Sequence, residues 1–114
     1  MTTRKSLSEA RVITAIRTPY SRPGAVDVDA FDRLVQHQID AGVNGLVIGD
    51  TTGDGHLLEW DQHLALIAHA VQQFGRELLI VGNTGSNVTA QAIRHTELGF
   101  LAGMDAALHV PPYY

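Results

Sequence analysis

The stretch GLVIGDTTGDG at residues 45–55 joins an apolar run to a polar, glycine-rich loop, and the fold follows from that junction. Residues 45–48 are too few for a helix and do not alternate with polar residues, so they read as a strand buried on both faces, the mark of a parallel sheet. Three other runs share this character: VITAI at 12–16, LLIV at 78–81 and AALHV at 106–110. Their starts lie 33, 33 and 28 residues apart, the length of a βαβ crossover.

Helical spacing fills each interval. Asp27 caps a segment with Phe31, Leu34, Val35 and Ile39 on one face, and Gly42 stops it. Trp60, Leu64, Ile67, Val71 and Phe74 recur at steps of four and three, with Gly75 as terminator. Asn87 or Thr89 begins a third helix through Ile93, Glu97 and Leu98 to Gly99. The expected order is β-α-β-α-β-α-β, which fits either an open doubly wound sheet or the first half of a (β/α)8 barrel, a fold of about 250 residues. Length alone favours the open sheet. The segments Thr18-Pro19-Tyr20, 50–55, 83–87 and 111–114 all follow carboxyl ends of strands and so share one rim, where parallel α/β proteins bind ligands.

Composition narrows the function classes. A chain of 114 residues holds one domain with a real core. Residues 1–10 are expected to be a flexible tail and residues 11–114 the domain. The formal charge of −4, with scattered basic residues, argues against nucleic acid, and no apolar stretch suggests a membrane span or secretory signal. The absence of cysteine excludes disulfides and thiolate metal sites and is compatible with a reducing intracellular compartment.

Several residues bear chemistry. In residues 49–55 the glycines permit close backbone approach, successive amides can cradle a carboxylate or phosphate, and Thr51 and Thr52 supply hydroxyls that need an activating partner. The competing reading is that glycine merely makes the turn. Tyr113 and Tyr114 follow Pro111-Pro112 and offer phenols near the same rim, or rings that pack at a subunit surface. Asp50, Asp54 and His56 crowd one loop but lack the spacing that fixes metal geometry, so no metal site is expected. His37, His63, His69, His95 and His109 read as helix-surface or strand-packing residues. GNTGSN at 82–87 lacks the Lys-Ser/Thr ending of a phosphate loop.

Together, VITAIRTPY at 12–20, GDTTGDG at 49–55, GNTGSN at 82–87 and PYY at 112–114 resemble the dihydrodipicolinate synthase (4-hydroxy-tetrahydrodipicolinate synthase) family of pyruvate-dependent class I lyases, particularly its plant-type form. The resemblance runs from about Arg11 to Tyr114 and implies the N-terminal, roughly half-length portion of a (β/α)8 barrel. It also implies condensation of pyruvate with aspartate semialdehyde on the way to lysine, through a Schiff base on a barrel lysine and without a cofactor. Thr51 would be the proton-relay hydroxyl, Thr52 would hold the pyruvate carboxylate, and Tyr114 would complete the relay from a neighbouring subunit of a dimer of dimers. The Schiff-base lysine belongs to a later strand; the one lysine of this sequence is Lys5, before the first strand. Lysine as inhibitor would meet Trp60, His63, Asn87, Gln91 and Tyr113, and Trp60 and His63 have an equal reading as packing residues of the second helix.

Departures from the family pattern carry expectations of their own. Asp50 replaces a usual Gly and sets a like charge beside the pyruvate carboxylate, and Asp54 replaces a usual Glu. Gln91 replaces the glutamate that meets an effector ammonium, which should weaken inhibition. The resemblance implies a soluble intracellular protein, in the plastid stroma if plant-derived and in the cytoplasm otherwise. Two alternatives stay open: another pyruvate-dependent aldolase, such as an N-acetylneuraminate lyase-like enzyme, and a non-catalytic truncated paralogue that associates with full-length subunits.

Overall fold

The computed structural model describes residues 6–112, apart from the side chains of Thr51 and His56. Four strands, β1 (Ile13–Ala15), β4 (Gly45–Ile48), β5 (Leu79–Asn83) and β6 (Ala106–Leu108), form one sheet in the order β1-β4-β5-β6. Every neighbouring pair is parallel, with Ile13 opposite Gly45, Gly45 opposite Leu79 and Val81 opposite Ala106. The expected α/β fold of parallel β/α units is therefore present.

Helices α1 (Val28–Asp40), α2 (Trp60–Phe74) and α3 (Thr89–Ala102) cover the sheet. Asp27 caps α1 as expected: its carboxylate accepts the Ala30 N–H at 3.0 Å. Leu46 and Ile48 of β4 and Ile80 of β5 are fully buried and form the core with Phe31 and Val35 of α1 and Ile67 and Ala70 of α2. The face of α2 that is buried is turned from the expected stripe. His63, Leu66, Ile67 and Ala70 lie inside, while Trp60, Leu64, Val71 and Phe74 are half-buried, Val71 and Phe74 packed against the core.

Two differences from expectation have plain causes. Helix α3 runs past Gly99 to Ala102 and is capped by Gly103 in the left-handed region (φ 105°). Gly99 is instead a packing position, since a Cβ there would sit 2.6 Å from the Met104 sulfur. A short antiparallel hairpin, β2 (Tyr20–Arg22) with β3 (Ala25–Val26), intervenes between β1 and α1. Its turn is built by Pro23-Gly24, where Gly24 takes φ 78°, a conformation suited to the third residue of a type II turn. Before β1, Ser6 and Glu9 close a small turn, the Ser6 hydroxyl donating to the Glu9 carboxylate at 2.7 Å.

Candidate functional site at the carboxyl rim

Parallel pairing of β4 with β5 puts the loops after Ile48 and Asn83 at one end of the sheet, and a direct bond joins them. The Asn83 side-chain amide donates to the Gly49 carbonyl at 2.9 Å, while the Asn83 side-chain oxygen accepts the Gly85 N–H at 3.3 Å. The loop after β4 is wound tightly. Thr51–Gly53 and Gly55–Leu57 each form a turn of 3-10 helix, and the Asp50 carbonyl accepts the N–H groups of both Gly53 and Gly55, at 2.9 and 3.1 Å. From the end of β1, the buried Thr18 hydroxyl donates to the Gly53 carbonyl. The threonine loop is thus held from β1 and from β5.

Its glycines answer to the protein's own atoms. Gly49 takes φ 75°, and a Cβ there would fall 2.3 Å from the imidazole of His63; a Cβ on Gly55 would meet the Gly49 carbonyl oxygen at 1.5 Å. Close self-packing of the loop therefore demands these glycines, whatever the loop binds. Asp54 occupies the left-handed region at φ 59° without being glycine, a conformation Asp tolerates better than most side chains.

His63, 2% exposed, is the floor beneath this loop. Burial pushes its basicity below the ordinary histidine range; the carbonyls of Gly55 and Asn83 oppose that shift and the nearby His95 adds to it. Among the described residues, the Nε2 of His63 and the Nδ1 of His95 are buried without a hydrogen-bond partner. Between the two histidines lies Trp60 at the start of α2. It stacks on His95 at 3.9 Å between ring centroids with planes 6° apart, and meets His63 at 5.0 Å.

Of the residues singled out from sequence, Thr51 and Thr52 share the first 3-10 turn, with the Thr52 side chain exposed; the side chain of Thr51 lies outside the described set. Trp60 and His63 are in contact. Gln91, one helical turn before His95, lies on the same face of α3, and its side-chain oxygen accepts from the Ser86 hydroxyl at 3.2 Å. Asn87 is exposed just ahead of α3. Tyr113, Tyr114 and Lys5 lie outside the described residues. Asp50 and Asp54 are both half-buried in the loop, and among the described residues no three His, Asp or Glu side chains gather as a metal site.

Sequence reasoning missed the Asn83 clamp and the His95 stack. An Asn at a strand end followed by Thr-Gly is a turn signal that could have hinted at the clamp, whereas stacking between two helices leaves no local trace. Beside the loop, the β2–β3 hairpin bounds an open hollow of about 500 Å3 between Tyr20, Gly24, Asp54, Leu57 and Gln62. Burial, and then the charge of Asp54, push the Tyr20 phenol upward, so it stays protonated.

Comparison with known proteins agrees with this geometry. The model of the Dihydrodipicolinate synthetase family matches residues 8–114. The chloroplastic 4-hydroxy-tetrahydrodipicolinate synthase of Zea mays is 48% identical over 113 residues, covering 99% of this chain and 30% of that protein. Chloroplastic synthase 1 of Arabidopsis thaliana is 53% identical over 104 residues, covering 91% and 28%. The chloride-inhibited dihydrodipicolinate synthase of Acinetobacter baumannii complexed with pyruvate superposes with a TM-score of 0.87 at 35% identity, covering 92% of this chain and 36% of that one. The chain thus spans about a third of the length of its relatives rather than the half expected, though it carries four strands of an eight-stranded barrel. By sequence and by fold, this chain belongs to the dihydrodipicolinate synthetase family.

Proposed function

We propose that these residues supply the N-terminal part of the active site of a 4-hydroxy-tetrahydrodipicolinate synthase, which condenses pyruvate with aspartate semialdehyde through a Schiff base. The observation that carries the reading is the clamp between Asn83 and Gly49, which gathers the loops after β4 and β5 at the carboxyl rim of a parallel sheet. In this role Thr51 relays a proton, Thr52 holds the pyruvate carboxylate and Tyr114 completes the relay from a neighbouring subunit of a homotetramer. Trp60, His63, Asn87, Gln91 and Tyr113 form an effector site for lysine, weakened by the neutral Gln91. The contact of Trp60 with His63, and the place of Gln91 one turn from the histidine stacked on Trp60, support that grouping. The naming of plant relatives as chloroplastic supports a plastid stroma setting.

A chimera tests this directly. Residues 8–114 replace the matching stretch of a plant synthase, and condensation is measured. The chimera retains activity, and Thr51→Val lowers kcat about 10²- to 10⁴-fold, the usual contribution of a positioned proton-transfer group. An inactive chimera that still assembles, or an indifferent Thr51→Val, refutes the assignment. The 114-residue polypeptide itself, whose one lysine is Lys5, forms no borohydride-stable adduct with pyruvate; an adduct seen by mass spectrometry overturns that expectation. A second reading, association with intact subunits, is favoured by the exposed Phe100 and Leu101 on α3 and Leu108 on β6, and mixed oligomers on co-expression would support it.

A further inference from the structure

Three polar side chains meet behind the strand that leads to the tyrosine pair. Thr84, fully buried after β5, lies 2.7 Å from the hydroxyl of Thr96 on α3. The Nε2 of His109, just past β6, is 2.8 Å from the Thr96 hydroxyl and 3.1 Å from that of Thr84. The Thr84 N–H also donates to the Leu108 carbonyl at 3.2 Å, so side chain and backbone bind the same two segments together.

Each member of the triangle draws on the other two: the fully buried Thr84 hydroxyl reaches both Thr96 and the His109 ring, and the half-buried Thr96 reaches both as well. Removing the imidazole takes one partner from each hydroxyl. The hollow beside the ring is lined by Gly85, Ser86, Thr89, Ala92, Val110 and Pro111.

We propose that His109 is a positioning residue: through Nε2 it ties the end of β6 to β5 and α3 and so fixes where the chain enters Pro111-Pro112, the residues that precede Tyr113 and Tyr114 in the sequence. The assignment of a relay role to Tyr114 rests on the reading above; the tie itself does not.

Hydrogen exchange at the Thr84 amide of the 114-residue chain at neutral pH tests the tie. His109→Leu should speed Thr84 exchange about tenfold, while His109→Gln, which returns a hydrogen-bonding group near the Nε2 position, should restore protection. Equal exchange in wild type and His109→Leu, or a His109→Gln variant no better protected than His109→Leu, overturns the proposal. Should His109→Leu fail to fold, Thr96→Val decides: it removes the hydroxyl that His109 meets at 2.8 Å and should speed Thr84 exchange likewise, and unchanged exchange there overturns the proposal. Failure here leaves the chimera result untouched, and failure of the chimera leaves this one untouched.

Discussion

The centre of the sheet and its β6 flank are built on different terms. Strands β4 and β5 bury Leu46, Ile48 and Ile80 completely beneath α1 and α2, with apolar contacts on every side. The flank made by α3 and β6 buries only Gly99 of its helix and leaves Leu101 83% exposed; besides the β5–β6 pairing and the Trp60–His95 stack, it is joined to the rest by Met104 and by the hydroxyl and imidazole contacts of Thr84, Thr96 and His109. Burial carries the stability at the centre, and polar geometry carries the alignment at the flank. A fold can thus keep a packed floor under one loop while the neighbouring segment is aligned by a few hydrogen bonds.

That contrast can be broken by substitution, most sharply at the centre. Ile80→Ala should cost about 3 kcal/mol, within the usual range for a buried isoleucine, read as a fall in the urea midpoint. Acid acts next, through His63. Its basicity is lowered in the folded state, so the unfolded chain binds the extra proton; this contribution is complete above the ordinary histidine value of 6.5 and is lost as pH falls below it. Denaturation at stepped pH should show stability dropping on acidification through that window, and His63→Gln should flatten the slope. Removing the cap of α1 with Asp27→Ala should cost about 1 kcal/mol. The pair of His69 with Asp32, 2.7 Å apart but partly solvated, should contribute no more than about 0.5 kcal/mol by double-mutant cycle. Smallest of all, Leu101→Lys on the exposed flank should stay within about 0.5 kcal/mol. A large loss at Leu101 would mean the flank is covered in solution and would erase the distinction.

In the proposed active site, Asp50→Gly in the chimera should tighten pyruvate binding if the half-buried Asp50 carboxylate repels the substrate; unchanged affinity would acquit it.

Much of this architecture is legible in the sequence because parallel strands are written as apolar runs: β1, β4 and β6 lie within such runs, and β5 begins in one but continues through Gly82 to Asn83, residues that read as loop. The hairpin of Tyr20–Arg22 with Ala25–Val26 is not, since strands of three and two residues carry no periodicity and only Pro23-Gly24 marks them. Gly99 misleads for a physical reason: glycine serves equally as a helix stop and as a place for another side chain to press in, and here Met104 presses in. At the site, the threonine loop is recognisable from composition. The roles of His63 as floor, His95 as stacking partner and Asn83 as clamp depend on contacts between different elements distant in sequence, such as Asn83 with Gly49, which no local pattern encodes.

The sequence contains a single tryptophan, and that indole lies face to face with an imidazole across the gap between two helices. The molecule therefore carries its own optical gauge: ultraviolet emission from one fluorophore registers any parting of α2 from α3, with no dye attached and no competing indole to subtract.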